Sequence, residues 1–319
     1  MDKVLLVDPA LAGLADRFAD RLPGVTIAAV TGFGEAEFRA AAADATIFVD
    51  ARRPIGAPEL AVAPRLRFVQ MIGVGTDPLD RAALAAAGVV AAYNPGVNRT
   101  GAAEHTIMLM LALIKRLPAS EGLTRAGRFV PGEIIARGLD DLTDSTVGIV
   151  GMGHIGQAVA ERLAAFGSGI VYNARRPVAE VEERFGAEHL SLDDLLRRSN
   201  IVTLHIPLTP ETYHLIGARA LAVMPDGSWL VNAGRGGLVD ETALRSAVSS
   251  GQLAGAALDV LEHETDGTNP FADMPEVVIT PHLGGGSRNS IGATIERCTA
   301  NIRCFLDGEP LQDEVPLTP

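Results

Sequence analysis

A chain of 319 residues has room for two ordinary domains, and 47% hydrophobic with 21% charged residues marks it as globular rather than disordered. Its formal net charge of −12 repels nucleic acid and anionic membranes, so neither is an expected partner, and an anionic substrate would need a local cationic anchor. Aromatic residues make up only 4%, so the core must be packed from Ala, Val, Leu and Ile.

Short β-type runs at Val4–Val7, Val25–Val30, Thr46–Val49, Phe68–Ile72 and Val89–Ala92 alternate with helix-like segments at Leu11–Arg21, Glu35–Ala43 and Pro78–Ala87. Such alternation predicts parallel βαβ units, here a flavodoxin-like domain. Val4-Leu5-Leu6-Val7 stops at Asp8, too short for a signal-peptide core. Thr100 to Leu117 is apolar nearly all round between Thr106 and Ile114, which predicts a helix buried on most sides, in a core or at a subunit interface. Its longest apolar run, Ile107 to Ile114, falls short of the roughly 20 residues that cross a bilayer. Ser120 to Ser145 lacks periodicity and reads as a connection.

A second βα series begins at Thr146, with predicted strands Val147–Val150, Ile170–Tyr172, Ile201–Leu204, Trp229–Val231, Gly255–Leu258 and Val277–Ile279. Six strands with intervening helices fit a Rossmann dinucleotide-binding domain. A last helix, Asn289 to Leu306, either closes that domain or returns to the first. It carries both cysteines, Cys298 and Cys304, on different faces and about 9 Å apart along its axis, unsuited to a disulfide. A reduced, cytoplasmic protein is the expectation. No metal site is expected.

Val150-Gly151-Met152-Gly153-His154-Ile155-Gly156 ends a strand and opens a helix, Gln157 to Phe166. Gly151 permits the tight turn, Gly153 lets the backbone approach a pyrophosphate, and Gly156 lets helix and strand pack closely. The first amides of the helix then face the anion. A glycine turn alone carries little weight, but the strand before and the helix after supply the required context. An acid that would hold a ribose 2′-hydroxyl is expected about 20 residues on. That strand instead ends Asn173-Ala174-Arg175-Arg176, with no acid before Glu180. Two arginines standing where a 2′-phosphate would arrive favour NADP, with NAD as the other possibility.

Ligands of open α/β sheets bind beyond the carboxyl ends of the strands. Reactive side chains at such ends are His205, Arg235, Glu262 or Glu264, and His282. Reduction of a 2-oxo acid needs this set. A guanidinium binds the carboxylate and polarises the carbonyl, a histidine protonates the developing alkoxide, and a carboxylate keeps that histidine oriented and charged. Singly, each has a plain structural reading: a surface ion pair for Arg235, a solvated loop acid for Glu264, a strand-end cap for His282.

Leu230-Val231-Asn232-Ala233-Gly234-Arg235-Gly236-Gly237-Leu238-Val239-Asp240, then Ala257-Leu258-Asp259-Val260 with Glu264, then Thr280-Pro281-His282-Leu283-Gly284-Gly285, resemble the D-isomer-specific 2-hydroxyacid dehydrogenase family. Val74-Gly75-Thr76-Asp77, Asn94-Pro95-Gly96-Val97-Asn98, Ala103-Glu104-His105 and His205-Ile206-Pro207-Leu208-Thr209 extend the resemblance in order over nearly the whole chain. It implies an α/β fold of two doubly wound domains. A discontinuous substrate domain would take residues 1–98 plus 287–319, and a dinucleotide-binding domain residues 99–286. The implied activity is hydride transfer between a nicotinamide cofactor and C2 of a small 2-oxo or 2-hydroxy acid. By resemblance Arg235 binds substrate, His282 is the acid/base and Glu264 its partner. The backbone of Gly73, Val74 and Gly75 cradles the substrate carboxylate, and Asp259 holds the nicotinamide carboxamide. Gly151, Gly153, His154, Ile155, Gly156, Asn173, Ala174, Arg175, Arg176, His205, Pro207 and Ala233 form the rest of the cofactor site. A homodimer built largely on the helix near Thr100 is also implied.

The chain departs from the family in three places. Thr265 stands where a proline usually follows the catalytic glutamate, which leaves open whether Glu262 or Glu264 faces His282. A tryptophan common in the connection is absent, with Phe129 nearby, and the acidic ribose position reads Ala174. Two rival readings exist. A dinucleotide-sensing regulator, like the carboxy-terminal binding protein corepressors, would keep the same triad without physiological turnover. A formate dehydrogenase-like enzyme would carry Gln where Glu264 stands. Near the substrate side chain, Arg52, Arg53 and Arg99 either meet a second anionic group or face solvent.

Overall fold

The computed structural model describes residues 2–32, 34–264 and 267–317, so Thr265 lies outside the described residues. The chain divides into two compact units, Met1–Asn98 with Arg288–Pro319 and Arg99–Ser287.

The first unit is built on β1 (Lys3–Leu6), β2 (Thr26–Ala29), β3 (Ile47–Asp50), β4 (Phe68–Met71) and β5 (Val90–Ala92). They form a parallel sheet in the order β2-β1-β3-β4-β5, the flavodoxin-like arrangement. Strand alternation sends Leu5, Phe48 and Val69 to one face and Val4, Leu6, Ile47 and Phe68 to the other. Both faces are covered, so β3 and β4 are wholly buried, and apart from Asp50 and Gln70 their residues are apolar. The helix Arg288–Asp307 covers the second face with Ile295, Cys298 and Ile302. Two of its buried groups are partnered across the interface with the sheet: Asn94 Nδ2 donates to Cys298 Sγ at 3.1 Å and Asn301 Nδ2 to Gln70 Oε1 at 2.9 Å. Both cysteines are free thiols.

The second unit holds β6 (Thr146–Val150), β7 (Gly169–Asn173), β8 (Glu188–His189), β9 (Ile201–Leu204), β10 (Ser228–Asn232), β11 (Leu253–Leu258) and β12 (Val277–Ile279). All pairings are parallel, in the order β12-β11-β10-β9-β6-β7-β8. The order reverses between β6 and β9, the switch point at which a dinucleotide crevice opens. The two-residue β8 is a seventh strand beyond the six predicted, too short to show any alternation. The apolar helix spans Arg99–Ile114, with Ala103, Ile107, Leu109, Met110 and Leu113 in the same core cluster as Val147, Val159 and Val231. It ends three residues before the predicted Leu117, because Arg116 turns into a left-handed conformation ahead of Pro118.

The stretch predicted as a bare connection contains two helices, Leu117–Arg125 and Pro131–Ala136, each opened by a proline in its first turn. Nine and six residues do not complete an amphipathic pattern, which explains why periodicity misses them. No helix among the described residues is long and apolar enough to cross a membrane.

Candidate active site

The phosphate loop follows β6 directly. Gly151 has φ +100°, and a Cβ there would lie 2.4 Å from the His205 carbonyl oxygen, while one on Gly156 would lie 2.0 Å from Gly151 O. Only glycine fits either place. At Gly153 a Cβ would meet nothing within 4 Å, so the loop keeps an open cradle over its backbone. Gly153 is the N-cap of the helix His154–Phe166, which starts three residues before the predicted Gln157. The amides of His154, Ile155 and Gly156 thus belong to the first turn, where no intrahelical acceptor exists. These residues fit a pyrophosphate.

β7 ends at Asn173, whose Nδ2 donates to Leu190 O at 2.9 Å, and Ala174 O accepts from His189 Nε2 at 2.9 Å. Arg175 and Arg176 follow in an exposed bend, with no ion pair or hydrogen bond among the described residues. His205 leaves β9, with Nε2 3.0 Å from Thr203 Oγ1. Part of its surface stays accessible, but protein surrounds the imidazole, and this desolvation pushes its pKa down to about 4. Pro207 is exposed and Ala233 half-buried.

Three neighbouring strands carry the reactive groups. Arg235 follows β10, on a turn that Asn232 braces by accepting from Gly234 N at 3.0 Å and donating to Arg235 O at 2.9 Å. A Cβ on Gly236 would lie 2.0 Å from the Leu261 carbonyl carbon, so this turn is packed onto the segment that leaves β11. On that segment stand both candidate carboxylates. Glu262 accepts from Tyr213 Oη at 2.6 Å and faces His214 Nε2 at 3.3 Å. Burial works against its charge, but these contacts outweigh it and hold its carboxyl below the ordinary range. Glu264 is the one that meets His282, with Nδ1 2.9 Å from Oε2 and 3.1 Å from Oε1. His282 Nε2 has no hydrogen-bond partner among the described residues, and the side chain is 32% exposed.

Asp259, at the end of β11, is 1% exposed. Its Oδ1 accepts from His105 Nε2, Thr280 Oγ1 and Leu283 N, and its Oδ2 from Gly284 N. Burial opposes its ionisation, yet the His105, Thr280 and backbone hydrogen bonds win and hold its carboxyl below the usual value. The carboxylate that the resemblance gives to the nicotinamide carboxamide is therefore spent almost wholly inside the protein, with a single acceptor position left on Oδ2. His105, Thr280, Tyr213 and His214 are site residues that the sequence reading misses. An imidazole next to the apolar run Ile107–Ile114 of this helix is the signal that could have found His105.

In the first unit, Gly73, Val74 and Gly75 follow β4, held by Asn94 N donating to Gly73 O at 3.0 Å. Arg52 forks onto Asp8 at 2.9 and 3.0 Å. Arg53 does not face solvent: it is buried, with its guanidinium 4.1 Å from the centre of the Phe38 ring. Arg99 is exposed.

The family model described as D-isomer specific 2-hydroxyacid dehydrogenase, NAD binding domain, matches residues 107–284. The D-3-phosphoglycerate dehydrogenase of Mycobacterium bovis is 37% identical over 93% of this chain, but the chain spans only 58% of that relative's length. The glyoxylate reductase of Thermococcus litoralis is 35% identical over 77% of this chain and 76% of its own. Among solved structures, D-lactate dehydrogenase from Aquifex aeolicus, complexed with NAD and lactic acid, superposes with a TM-score of 0.87 at 27% identity, covering 96% of each chain. The two-domain α/β fold expected from the motifs is the fold observed. The chain belongs to the D-isomer-specific 2-hydroxyacid dehydrogenase family, and the matched stretch of its second unit is that family's nicotinamide-dinucleotide-binding domain.

Proposed function

We propose that this protein interconverts a small 2-oxo acid and its D-2-hydroxy acid, with NADPH favoured over NADH. The observation that carries the reading is the His282–Glu264 pair, which leaves Nε2 available on the strand edge that also bears Arg235. When bound, the nicotinamide supplies the hydride for C2 or takes it back. The chain's own residues do the rest. Arg235 takes the substrate carboxylate and draws electron density from the carbonyl. His282 gives its Nε2 proton to the oxygen as alkoxide charge develops there, so one hydride and one proton complete the hydroxy acid. Glu264 offsets the imidazolium charge of His282 before that transfer, and again after proton uptake in the reverse direction, and holds the neutral ring in the Nδ1–H tautomer. The amides of Gly73, Val74 and Gly75 are assigned as further carboxylate donors.

Support for NADPH comes from Ala174 in the acid's place and from the two exposed arginines beyond it, whose forks suit a 2′-phosphate. A homodimer is proposed from Leu117, Phe129 and Ile135, which stand 57%, 85% and 64% exposed around the two short helices. A cytoplasmic location fits the free thiols. A panel of 2-oxo acids, with glyoxylate and hydroxypyruvate first, assayed with NADPH and with NADH tests this reading. Turnover of none of them would overturn it.

A further inference from the structure

His105 sits on the helix Arg99–Ile114 among buried neighbours Ala102, Ala103, Thr106 and Leu109. Its Nε2 lies 3.0 Å from Asp259 Oδ1 and 3.0 Å from Thr280 Oγ1. Thr280 already donates its hydroxyl proton to Asp259 Oδ1 at 2.5 Å, so its oxygen is an acceptor toward His105, and Nε2 carries the shared proton. The imidazole therefore braces both residues at once.

What Asp259 holds is the backbone of the acid/base residue. His282 N donates to the Asp259 carbonyl at 2.8 Å, Leu283 N to Oδ1 at 2.8 Å and Gly284 N to Oδ2 at 2.8 Å. Three consecutive amides thus hang on one residue. They are needed because His282 has φ +57°, a left-handed conformation that side-chain-bearing residues avoid unless their surroundings enforce it. Taking the His105 donor away leaves a buried carboxylate under-satisfied, so Asp259 must shift or take up a proton, and either change disturbs the amides that hang on it.

We propose that His105 is a positioning residue for proton transfer: by donating to Asp259 and Thr280 it locks the 282–284 backbone that aims the His282 imidazole. The proposal rests on the reading of His282 as proton donor given above.

The test uses His105→Leu, which keeps an apolar helix, and His105→Gln, whose Nε2 can donate at the same reach. Each full-length variant is assayed with reduced cofactor and glyoxylate for kcat, KM and the solvent deuterium isotope effect. Amide hydrogen exchange at Leu283 and Gly284 is measured on the cofactor-free protein. His105→Leu should lower kcat by roughly 10- to 100-fold, the scale of a small misplacement of a reacting group, with KM little changed. Its isotope effect should rise as proton transfer becomes limiting, and both amides should exchange faster. His105→Gln should restore most of each. A folded Leu variant with unaltered kcat and isotope effect overturns the proposal, as does a Gln variant no better than Leu. The exchange arm needs no turnover. Lost protection in a chain that reduces no 2-oxo acid would defeat the functional reading and leave the backbone lock standing, whereas retained protection in His105→Leu overturns the lock whatever the activity.

Discussion

His282 Nδ1 lies 2.9 Å from Glu264 Oε2, and the two side chains belong to the ends of β12 and β11. The parallel pairing of these strands places the two loops side by side, and the left-handed φ of His282 lets the ring turn back toward the carboxylate. One ring nitrogen is thereby committed to Glu264, and the other is presented outward. Glu262, two residues earlier, has its own partners in Tyr213 and His214 and takes no part in this pair.

Arg235 should supply two parallel donors to a substrate carboxylate, a geometry that only guanidinium offers. Arg235→Lys keeps the charge and loses the fork. It should raise KM and lower kcat, for a loss of roughly 10²-fold in kcat/KM. Steady-state kinetics near the wild-type values would remove Arg235 from substrate binding.

Cofactor selectivity should reside in Arg175 and Arg176. Replacing both with Ala should weaken NADPH by about 10-fold for each guanidinium removed and leave NADH nearly untouched. Fluorescence titration with the two cofactors reads this directly. Equal weakening of both, or a strong wild-type preference for NADH, would reduce the pair to surface charge.

His205 should stay neutral across ordinary assay conditions, since desolvation holds its imidazole down at about 4 against an ordinary 6.5. A depressed folded value means that its contribution to stability is complete above pH 6.5 and is lost as pH falls toward 4. His205→Gln should flatten that part of the stability profile. It should also weaken cofactor binding without altering the shape of the kcat/KM profile between about pH 5 and 8. Disappearance of a limb of that profile in the variant would make His205 the titrating group.

Asp50 gives the opposite slope. Burial pushes its carboxyl up to about 7, against the hydrogen bond from the Arg53 amide, and its Oδ2 has no partner among the described residues. The folded state holds the proton where the unfolded chain has already released it, so stability should decline from about pH 4 to pH 7 and level off above. Urea unfolding of Asp50→Asn should show this decline reduced. An unchanged slope would assign it to other groups.

The parts legible in the sequence are those in which local chemistry is strict. Gly151 and Gly156 admit no side chain, so their spacing announces the turn. The buried strands announce themselves as apolar runs. Arg235, His282 and the pair Glu262 or Glu264 stand out as candidates because each follows such a run, and the family resemblance alone favours Glu264. β8 escapes because two residues carry no period. Glu262 and Glu264 are two apart on one loop, and only their tertiary partners, Tyr213 and His282, tell them apart. Arg53 looks like a surface charge until Phe38 is seen beneath it. His105 meets Asp259 across 154 positions of chain, a relationship that no local pattern encodes.

Proton transfer by His282 is read most directly in His282→Gln. With glyoxylate and saturating reduced cofactor, kcat should fall by roughly 10²- to 10⁴-fold while the cofactor dissociation constant stays at its wild-type value. His205→Gln, measured alongside, should retain turnover once cofactor is saturating. Near-normal kcat in His282→Gln together with loss of turnover in His205→Gln would instead make His205 the proton donor.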